Sequence, residues 1–231
     1  LTLQFGVGSV GNALMGAVAD GPLADEPVRY FGEVVQDGLL DLIDDGVVAG
    51  ASATSLALSR AGQERLFADL DRYADALVLR PSDVSNAPAL VDRFGVVAVN
   101  SALAVDVYGH ANATHLGGTR IVSGVGGSGD FLRAAHLSVV ALPSTASEGE
   151  ISRVVPFVRH VDHTEHDVDA VVTEHGLADL RGLAPRERAD RIVERCADPA
   201  SRPALRAYRE RASGGHVPQD FPTAFDWTRR E

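Results

Sequence analysis

Short apolar runs alternate along this chain with segments of helical character. The clearest runs are residues 3–7, 28–31, 96–99, 139–142 and 168–173. The segments between them are compatible with helices, because their apolar side chains recur at intervals of about three to four residues. Continuous apolar runs of this length are typical of strands that are buried on both faces of a parallel sheet. The sequence therefore predicts an α/β fold with an open, mostly parallel sheet flanked by helices.

Composition narrows the class of partner. Residues of hydrophobic type make up 45% of the 231 positions, which is typical of a globular protein with a substantial core. The net charge is −11 and every basic residue is arginine, so nucleic acid and anionic membranes are disfavoured as partners. The absence of lysine is explained either by a GC-rich codon bias or by adaptation to a salt-rich cytoplasm, and composition does not separate the two.

The ends and the single thiol suggest where the chain belongs. No apolar run approaches the roughly 18 residues that a membrane span needs, and the N-terminus lacks the basic region of a secretory signal. The chain opens on a strand-like run without an initiator Met, which favours a start inside a longer protein. Cys196 is the one cysteine, which excludes an internal disulfide and fits a reducing cytoplasm.

A first glycine motif, Gly-x-Gly-x-x-Gly, spans residues 6–11 between a predicted strand and a predicted helix. Glycines let backbone amides approach an anion, and the start of a helix adds partial positive charge. The motif therefore fits a dinucleotide or any other phosphate-bearing cofactor, coenzyme A included. A tight turn without a ligand is the alternative.

A second glycine cluster spans residues 123–131. Four glycines within six positions exceed what one turn needs, and such a loop exposes several amides at one point. We interpret it as a rigid ligand loop, either a phosphate cradle or an oxyanion hole. The alternative is a flexible loop capped by Asp130 at a helix start.

Glu33 follows the predicted strand at residues 28–31 and precedes a helix that is predicted to open at Gly38. Open α/β sheets bind ligands at the carboxyl ends of their strands, so a carboxylate in this place can act as a nucleophile. A helix cap or a ribose-binding acid are the alternatives.

Histidines and acids crowd residues 160–167 in the order His-Val-Asp-His-Thr-Glu-His-Asp. The composition is that of a metal site, but the spacing matches no zinc pattern. We expect a hydrogen-bonded loop near the active site rather than a metal centre. The chain also lacks a Gly-x-Ser-x-Gly elbow, so serine hydrolase chemistry is unsupported.

Taken together, these motifs resemble one family, the acetate-type class I CoA-transferases, which includes succinyl-CoA:acetate CoA-transferases and acetyl-CoA hydrolases. The resemblance is collinear from the first residue to about Arg211 and covers the C-terminal half of the family's length. It is carried by residues 3–10, 32–38, 99–102, 106–110, 123–131, 143–146, 161–167 and 172–182. The resemblance implies a NagB/RpiA/CoA-transferase-like domain over residues 1–212, a C-terminal tail over 213–231 that packs on it, and an absent N-terminal half.

The resemblance also implies roles. Glu33 aligns with the catalytic glutamate, which carries the acyl group and then CoA as a glutamyl-CoA thioester. Gly127 offers its amide to the oxyanion, while Asn86 and Glu174 orient the glutamate and the carboxylate substrate. The positions implied to line the CoA groove are Gly6, Val7, Gly8, Ser9, Val10, Ser123, Gly126, Gly127 and Ser147. Two positions depart from the family, Ser147 where a CoA-binding lysine is frequent and Ala104 where an acid is common.

These implications define a set of expectations. The substrates are acetyl- or succinyl-CoA and a small carboxylate such as acetate or succinate, with no permanently bound cofactor and no metal. The family suggests a homodimer in the cytoplasm, with the N-terminal half supplying an arginine and part of the CoA site. An acetyl-CoA hydrolase, a nucleotide-binding domain and a non-catalytic fragment that needs its N-terminal half remain as alternatives.

Overall fold

A computed structural model of the chain describes residues 1–211 and Thr223. The predicted tail over residues 213–231 thus lies outside the described residues, apart from Thr223. The chain divides into two compact units, the first formed by Leu1–Ser101 with Gly127–Ser138, and the second by Ala102–Gly126 with the chain from Val139 onward. The prediction of a single domain over residues 1–212 stays a prediction.

Five neighbouring parallel strands lie in the first unit, in the order β7-β1-β2-β4-β6. Every pairing between these neighbours is parallel. A short parallel pair, β3 with β5, lies beside the ends of β2 and β4. The strands of the first unit are β1 Thr2–Phe5, β2 Val28–Phe31, β3 Val34–Val35, β4 Val48–Ala53, β5 Ser55–Leu56, β6 Leu77–Leu79 and β7 Val96–Ser101.

The helices of the first unit follow the predicted alternation. They are α1 Ser9–Ala19, α2 Asp37–Asp44, α3 Arg60–Ala68, α4 Leu70–Ala76, α5 Ser82–Ser85, α6 Pro88–Arg93 and α7 Ser128–Ala134, with a 3₁₀ turn at Pro22–Asp25. The larger core cluster joins β1 and β2 to α1 and α2 through Leu3, Phe5, Met15 and Leu39. Burial of such side chains stabilises the fold by roughly 1.5–3 kcal/mol for each one.

The order of strands brings three ends to one edge. Because β1, β2 and β7 run parallel, their carboxyl ends at Phe5, Phe31 and Ser101 lie at the same edge of the sheet. The chain leaves β1 toward β2 on one side and later adds β7 on the other. Such a change of direction is where open α/β sheets form a crevice for ligands.

In the second unit β16 pairs in parallel with β12 and antiparallel with β17. A separate three-stranded sheet pairs β8 in parallel with β15 and antiparallel with β9. Two antiparallel pairs, β10 with β11 and β13 with β14, complete the unit. Its strands are β8 Ala104–Asp106, β9 Ala111–Asn112, β10 His115–Leu116, β11 Arg120–Ile121, β12 Leu137–Ala141, which begins in the first unit, β13 Thr145–Ala146, β14 Ile151–Ser152, β15 Val154–Val155, β16 Ala170–Thr173 and β17 Gly176–Asp179.

Helices α8, Pro185–Cys196, and α9, Arg202–Arg211, end the described chain. The sequence predicts helical structure from Pro185 to about Arg211, which is confirmed, and the structure divides this region into two helices. Pro199 lies in the break between the two helices, and proline both lacks an amide donor and disfavours helical geometry in the residue before it. None of the helices in the described part of the chain is long and apolar enough to cross a membrane.

Candidate active site

Glu33 stands two residues beyond the end of β2, at the ligand edge of the sheet. Its own carbonyl oxygen accepts hydrogen bonds from the amides of Thr54 and Ser55, at 2.8 and 3.1 Å. The preceding Gly32 cannot be replaced without conflict, since a Cβ there would collide with the Tyr30 hydroxyl. The backbone of Glu33 is therefore fixed by the amides of Thr54 and Ser55 and by the close approach of Gly32 to Tyr30.

The carboxylate of Glu33 meets the second glycine cluster. The amide of Gly127 donates to Glu33 Oε2 at 2.8 Å, and Gly127 is buried. A Cβ on Gly127 would lie 2.6 Å from that same oxygen. Glycine is required here because the backbone itself approaches the carboxylate.

Asn86 lies on the other side of Gly127. A Cβ on Gly127 would collide with Asn86 Nδ2, which is also 3.5 Å from Asp130 Oδ2. Asn86 Oδ1 is buried and has no hydrogen-bond partner among the residues that the structure describes. A buried acceptor without a partner calls for an explanation, and a bound substrate donor supplies one.

The run Asn86-Ala87-Pro88 predicts a helix start that is capped by Asn86, and the structure shows that this cap is wrong. The residue at the N-cap of α6 is Ala87, and Pro88 takes the first helical position as predicted. Asn86 instead ends the short helix α5. Its side chain is thereby directed to Gly127 rather than to helix amides.

Tyr30 lies under the glutamate loop and is buried. Its hydroxyl is 2.9 Å from Val34 O and 3.4 Å from Phe5 O. Burial raises the pKa of Tyr30 well above its ordinary value, contact with Phe5 O opposes this in part, and the charge of Glu33 adds to the rise. Tyr30 therefore remains a neutral donor that joins the ends of β1 and β2.

The first glycine motif is held by Gln36, which is buried. Gly8 N donates to Gln36 Oε1 at 2.8 Å, and Gln36 Nε2 donates to Gly6 O at 3.1 Å. Gly8 has a φ of 126° and precedes α1 as its N-cap. Val7, Gly8 and Ser9 are exposed beyond this clamp, while Gly6 and Val10 are half-buried.

Two of the motif's glycines serve packing. A Cβ on Gly6 would lie 2.8 Å from Asn100 Oδ1, and a Cβ on Gly11 would collide with Gly6 O. Asn100 is itself fixed by a reciprocal amide pair with Gln4, at 2.9 and 3.2 Å, and both side chains are buried. The Gly-x-Gly-x-x-Gly spacing is thus explained by close backbone approach as well as by any ligand.

Four of the predicted site residues belong to the second unit. Ser123 and Gly126 are exposed, and Gly126 has a φ of 54°. Ser147 and Glu148 have φ of 51° and 56°, and Gly149 follows with 97°, so three successive residues have left-handed backbone. Such angles are strained in residues other than glycine, and strain of this kind clusters at functional sites.

Glu174 also belongs to the second unit. Its carboxylate accepts two hydrogen bonds from Ser144, at 2.6 Å from the hydroxyl and 2.8 Å from the amide. Partial burial by itself would raise the pKa of Glu174, but the bonds from Ser144 outweigh it and hold that pKa below its usual value. Glu174 is therefore anionic at neutral pH and fixed in direction.

The His-rich run forms a hydrogen-bonded loop, as expected. The Thr164 and Asp167 pair makes a capping box around a short 3₁₀ turn, Glu165–Asp167. His110 Nε2 contacts Glu165 at 2.6 Å, and its Nδ1 contacts the buried Asp106 at 3.0 Å. The nearness of this loop to the active site stays a prediction.

A family profile identifies the chain. The profile described as acetyl-CoA hydrolase/transferase C-terminal domain matches residues 62–209, which is more than half of the chain. The chain belongs to this family. Asn86, Gly127 and Glu174 lie inside the matched range, and Glu33 precedes it.

Curated relatives match nearly all of this acetyl-CoA hydrolase/transferase domain, beyond the range of the profile. A propanoyl-CoA:succinate CoA transferase of Escherichia coli is 45% identical and covers 99% of the chain, which spans 46% of that relative. A succinyl-CoA:acetate CoA-transferase of Clostridium kluyveri is 43% identical over 98% of the chain and 42% of the relative. An acetyl-CoA hydrolase of Eremothecium gossypii is 46% identical over 92% of the chain and 41% of the relative. The chain therefore spans less than half the length of these relatives.

Solved structures agree with the assignment of this domain. RipA from Yersinia pestis is 32% identical with a TM-score of 0.78, covering 89% of the chain and 48% of RipA. A 4-hydroxybutyrate CoA-transferase from Porphyromonas gingivalis is 29% identical with a TM-score of 0.72, covering 91% and 51%. The predicted open, mostly parallel α/β fold is confirmed by both.

Several residues that shape the site of this acetyl-CoA hydrolase/transferase domain were not predicted from the sequence. Gln36 clamps the first glycine motif, the pair of Gln4 and Asn100 lies under Gly6, and Tyr30 joins the strand ends. One signal was present, because Gln4 and Asn100 are amides inside otherwise apolar strands. Polar side chains at such buried positions need hydrogen-bond partners. Two of them near the ends of strands are therefore candidates to bond to each other.

Proposed function

We propose that this domain is the C-terminal catalytic half of a CoA-transferase that moves CoA between an acyl-CoA and a small carboxylate. The observation that carries the proposal is the 2.8 Å hydrogen bond from the Gly127 amide to the Glu33 carboxylate. A nucleophile and an oxyanion donor are thereby in contact before any substrate binds. Acetyl- or succinyl-CoA as donor and acetate or succinate as acceptor are the substrates we propose, from the family's chemistry.

The first step is attack by Glu33 on the thioester carbonyl. One carboxylate oxygen forms a bond to the acyl carbon, and the tetrahedral intermediate then loses the CoA thiolate. The product is a mixed anhydride between Glu33 and the acyl group. Covalent catalysis of this type divides one difficult exchange into easier steps.

The second step returns CoA to the enzyme. The thiolate adds to the glutamyl carbonyl carbon, and the acyl group departs as its free carboxylate, which leaves a glutamyl-CoA thioester. An acceptor carboxylate attacks that thioester and the two steps run in reverse. The energy of the thioester is conserved only where water is excluded.

Gly127 fits the second step best. The oxygen that accepts its amide in the resting site, Glu33 Oε2, becomes the glutamyl carbonyl oxygen once the other oxygen bonds to the acyl group. Negative charge develops on that oxygen when the thiolate adds. A donor aimed at the developing charge stabilises the transition state more than the ground state.

Asn86 and Glu174 are proposed as orienting residues. The Asn86 side chain lies against Gly127, and its Oδ1 is a buried acceptor without a partner among the described residues. Glu174 is held anionic by Ser144 and suits the recognition of a donor group rather than of a second carboxylate. Gly6 to Val10 in the first unit are proposed as CoA-binding residues. Ser123, Gly126 and Ser147 in the second unit are proposed, each by itself, as CoA-binding positions.

Transferase and hydrolase activities differ only in what attacks the acyl-enzyme. Relatives of both names are similar to this chain at almost the same level, at 45% and 46% identity. We favour the transferase because the site combines a nucleophile with a donor and needs no activated water. Release of free acetate and CoA without a carboxylate acceptor would instead support a hydrolase.

The setting of the enzyme is proposed from the same chemistry. CoA acts as substrate, and no permanent cofactor is required for acyl transfer to a carboxylate. The region that relatives carry beyond this chain is proposed as its partner, in a cytoplasmic homodimer. The one cysteine, Cys196, is buried and free, which suits a reducing compartment.

A trapping experiment tests the mechanism. The protein used is as long as the relatives and consists of this chain joined to an N-terminal region. It is incubated with succinyl-CoA, digested and analysed by mass spectrometry. We expect a CoA-sized adduct on the peptide that carries Glu33, and borohydride should convert that thioester to an alcohol.

The control is Glu33→Gln in the same protein. It keeps size and polarity but removes the nucleophile, so the adduct and the exchange of acetyl-CoA with succinate should both disappear. A folded wild-type protein that shows exchange without the adduct would overturn the glutamyl-CoA mechanism.

A further inference from the structure

Three side chains of the second unit converge around a point that the acyl-transfer chemistry does not use. His115 begins β10, and His160 and Asp162 come from the His-rich run. One ring nitrogen of each histidine and one carboxylate oxygen of Asp162 lie within 4.8 Å of one another. His115 lies outside the run, which is why the spacing of the run alone did not indicate this group.

The group is already close to the geometry of a metal site. His160 Nε2 is 3.1 Å from Asp162 Oδ1, and the two imidazole rings are stacked with centroids 3.7 Å apart and a tilt of 31°. Nitrogen and oxygen ligands of tetrahedral zinc, each at roughly 2.0–2.2 Å from the ion, stand about 3.3–3.5 Å from one another. The His160–Asp162 separation is therefore already close to that of two ligands of one ion.

Thr114 orients the group from behind. Its hydroxyl lies 2.9 and 2.8 Å from the two Asp162 oxygens and 2.6 Å from His115 Nδ1. A hydroxyl has one proton, and the carboxylate can only accept, so Thr114 donates to Asp162 and accepts from His115 Nδ1–H. This arrangement leaves Nε2 of His115 with a free lone pair, as a metal ligand requires.

Backbone amides fix the direction of the Asp162 carboxylate. Amides of Ala113 and Thr114 donate to its Oδ2 at 2.7 and 3.0 Å. A carboxylate oxygen beside two imidazoles is a donor set that zinc and related ions accept.

The neighbouring histidines and acids of the run are engaged elsewhere. His163 is buried and its backbone bridges Ala111, Asp167 belongs to the capping box, and Glu165 contacts His110. His160 in contrast keeps 37% of its side chain exposed, so an ion can reach the group from solvent. Only the trio combines access with convergent donors among the clusters of the described residues.

We propose that His115, His160 and Asp162 bind one divalent transition-metal ion of the zinc class, with water as the remaining ligand. The ion ties β10 to the segment before the Glu165–Asp167 turn. Its role is structural or regulatory and is independent of the acyl transfer proposed for Glu33. The earlier expectation of no metal rested on the run alone, without His115 and Thr114.

Metal titration tests the proposal on the tag-free chain. The protein is treated with chelator, dialysed, and titrated with Zn²⁺ by calorimetry and with Co²⁺ by visible absorption. We expect one ion per chain and the intense d–d bands of a four-coordinate cobalt site. His115→Gln and His160→Asn should each weaken binding by at least about tenfold, since loss of even an outer partner costs about 10- to 100-fold.

Two further variants sharpen the test. Thr114→Val keeps all three ligands and should weaken binding within that same range. His166→Gln should bind like the wild type because 84% of the His166 side chain is exposed and its ring pairs with Glu165. Circular dichroism of each variant confirms its fold. Absence of stoichiometric binding in the wild type, an octahedral cobalt spectrum, or an equal loss in His166→Gln would overturn the site.

Discussion

The amide of Gly127 and the carboxylate of Glu33 are in hydrogen-bond contact at 2.8 Å, although 94 residues separate them in sequence. The contact depends on two loops, one after β2 and one before α7, that meet within the first unit. Neither loop alone has the chemistry. Together they hold the proposed nucleophile, Glu33, against a fixed dipole, so the site is arranged during folding rather than during reaction.

Gly127→Ala tests that contact directly. The new Cβ would lie 2.6 Å from Glu33 Oε2 and would collide with Asn86, so the amide must move away from the carboxylate. We expect kcat for acyl exchange to fall by about 10²–10³, the effect of losing one oxyanion donor. Steady-state kinetics measures the change in the same full-length protein that the trapping experiment uses, with kcat and KM determined separately.

The control for that variant is Gly124→Ala. Gly124 belongs to the same loop, but a Cβ there meets nothing closer than 4.0 Å. Its kcat should stay within about twofold of the wild type. Equal losses in the two variants would show that loop composition, rather than the Gly127 contact, is responsible.

Much of the fold follows from the sequence. The apolar runs at residues 28–31 and 96–99 correspond to β2 and to most of β7, and Glu33 stands where a strand end predicts a ligand site. The second glycine cluster leads into α7, which begins at Ser128 inside the cluster itself. Local patterns set these elements because periodicity and turn residues act over a few positions.

The contacts within the site were less predictable. Gln4 and Asn100 pair across 96 residues only because β1 and β7 are neighbours, and strand order is not visible in either strand by itself. The same holds for Gln36, which reaches Gly6 and Gly8 across the start of α1. Such partners depend on topology, so a polar residue in a buried run signals a contact without identifying it.

Two glycine-to-alanine variants separate packing from conformational entropy. Gly6→Ala would put a Cβ 2.8 Å from Asn100 Oδ1, whose side chain is fixed by Gln4. We expect a loss of about 1–3 kcal/mol in the free energy of unfolding, as in other overpacked sites. Gly16→Ala in α1 meets nothing within 4 Å and should gain about 0.5–1 kcal/mol.

Chemical denaturation of the two alanine variants under one buffer gives both free energies. The opposite signs are the prediction. A Gly6→Ala protein as stable as the wild type would mean that the amide pair yields easily, and the explanation of the Gly-x-Gly-x-x-Gly spacing by close packing would then fail.

Gln36→Leu tests the clamp on the first glycine motif. It removes the acceptor of Gly8 N and the donor to Gly6 O while it preserves buried volume. Two lost hydrogen bonds should lower the free energy of unfolding by about 1–3 kcal/mol. If the motif binds the acyl-CoA, KM for acyl-CoA should rise more than kcat falls.

Gln63→Ala provides the comparison for Gln36→Leu. Gln63 is exposed, and its side-chain amide donates to Leu58 O. It should change neither KM nor stability by more than about 0.5 kcal/mol. An unchanged KM in Gln36→Leu, with the expected loss of stability, would leave the clamp a packing feature and argue against CoA at this motif.

His110 makes stability depend on pH. Burial by itself lowers the pKa of His110, but the hydrogen bond and charge of Asp106 and the charge of Glu165 outweigh both burial and the nearby Arg188, so that pKa is raised above 6.5. The folded protein thus binds this proton more tightly than the unfolded chain does. The resulting stabilisation is complete below about pH 6.5 and is lost as pH rises through the folded pKa.

His110→Gln should therefore cost most stability at acidic pH. The difference in the free energy of unfolding from the wild type should be largest near about pH 5.5 and should shrink toward about pH 8.5, because neutral His110 loses its attraction to the two carboxylates. Denaturation across that range measures it, and His136→Gln, an exposed site, should show a flat difference. A difference for His110→Gln that grows with pH would mean that the imidazole is neutral when folded, and that burial outweighs Asp106 and Glu165.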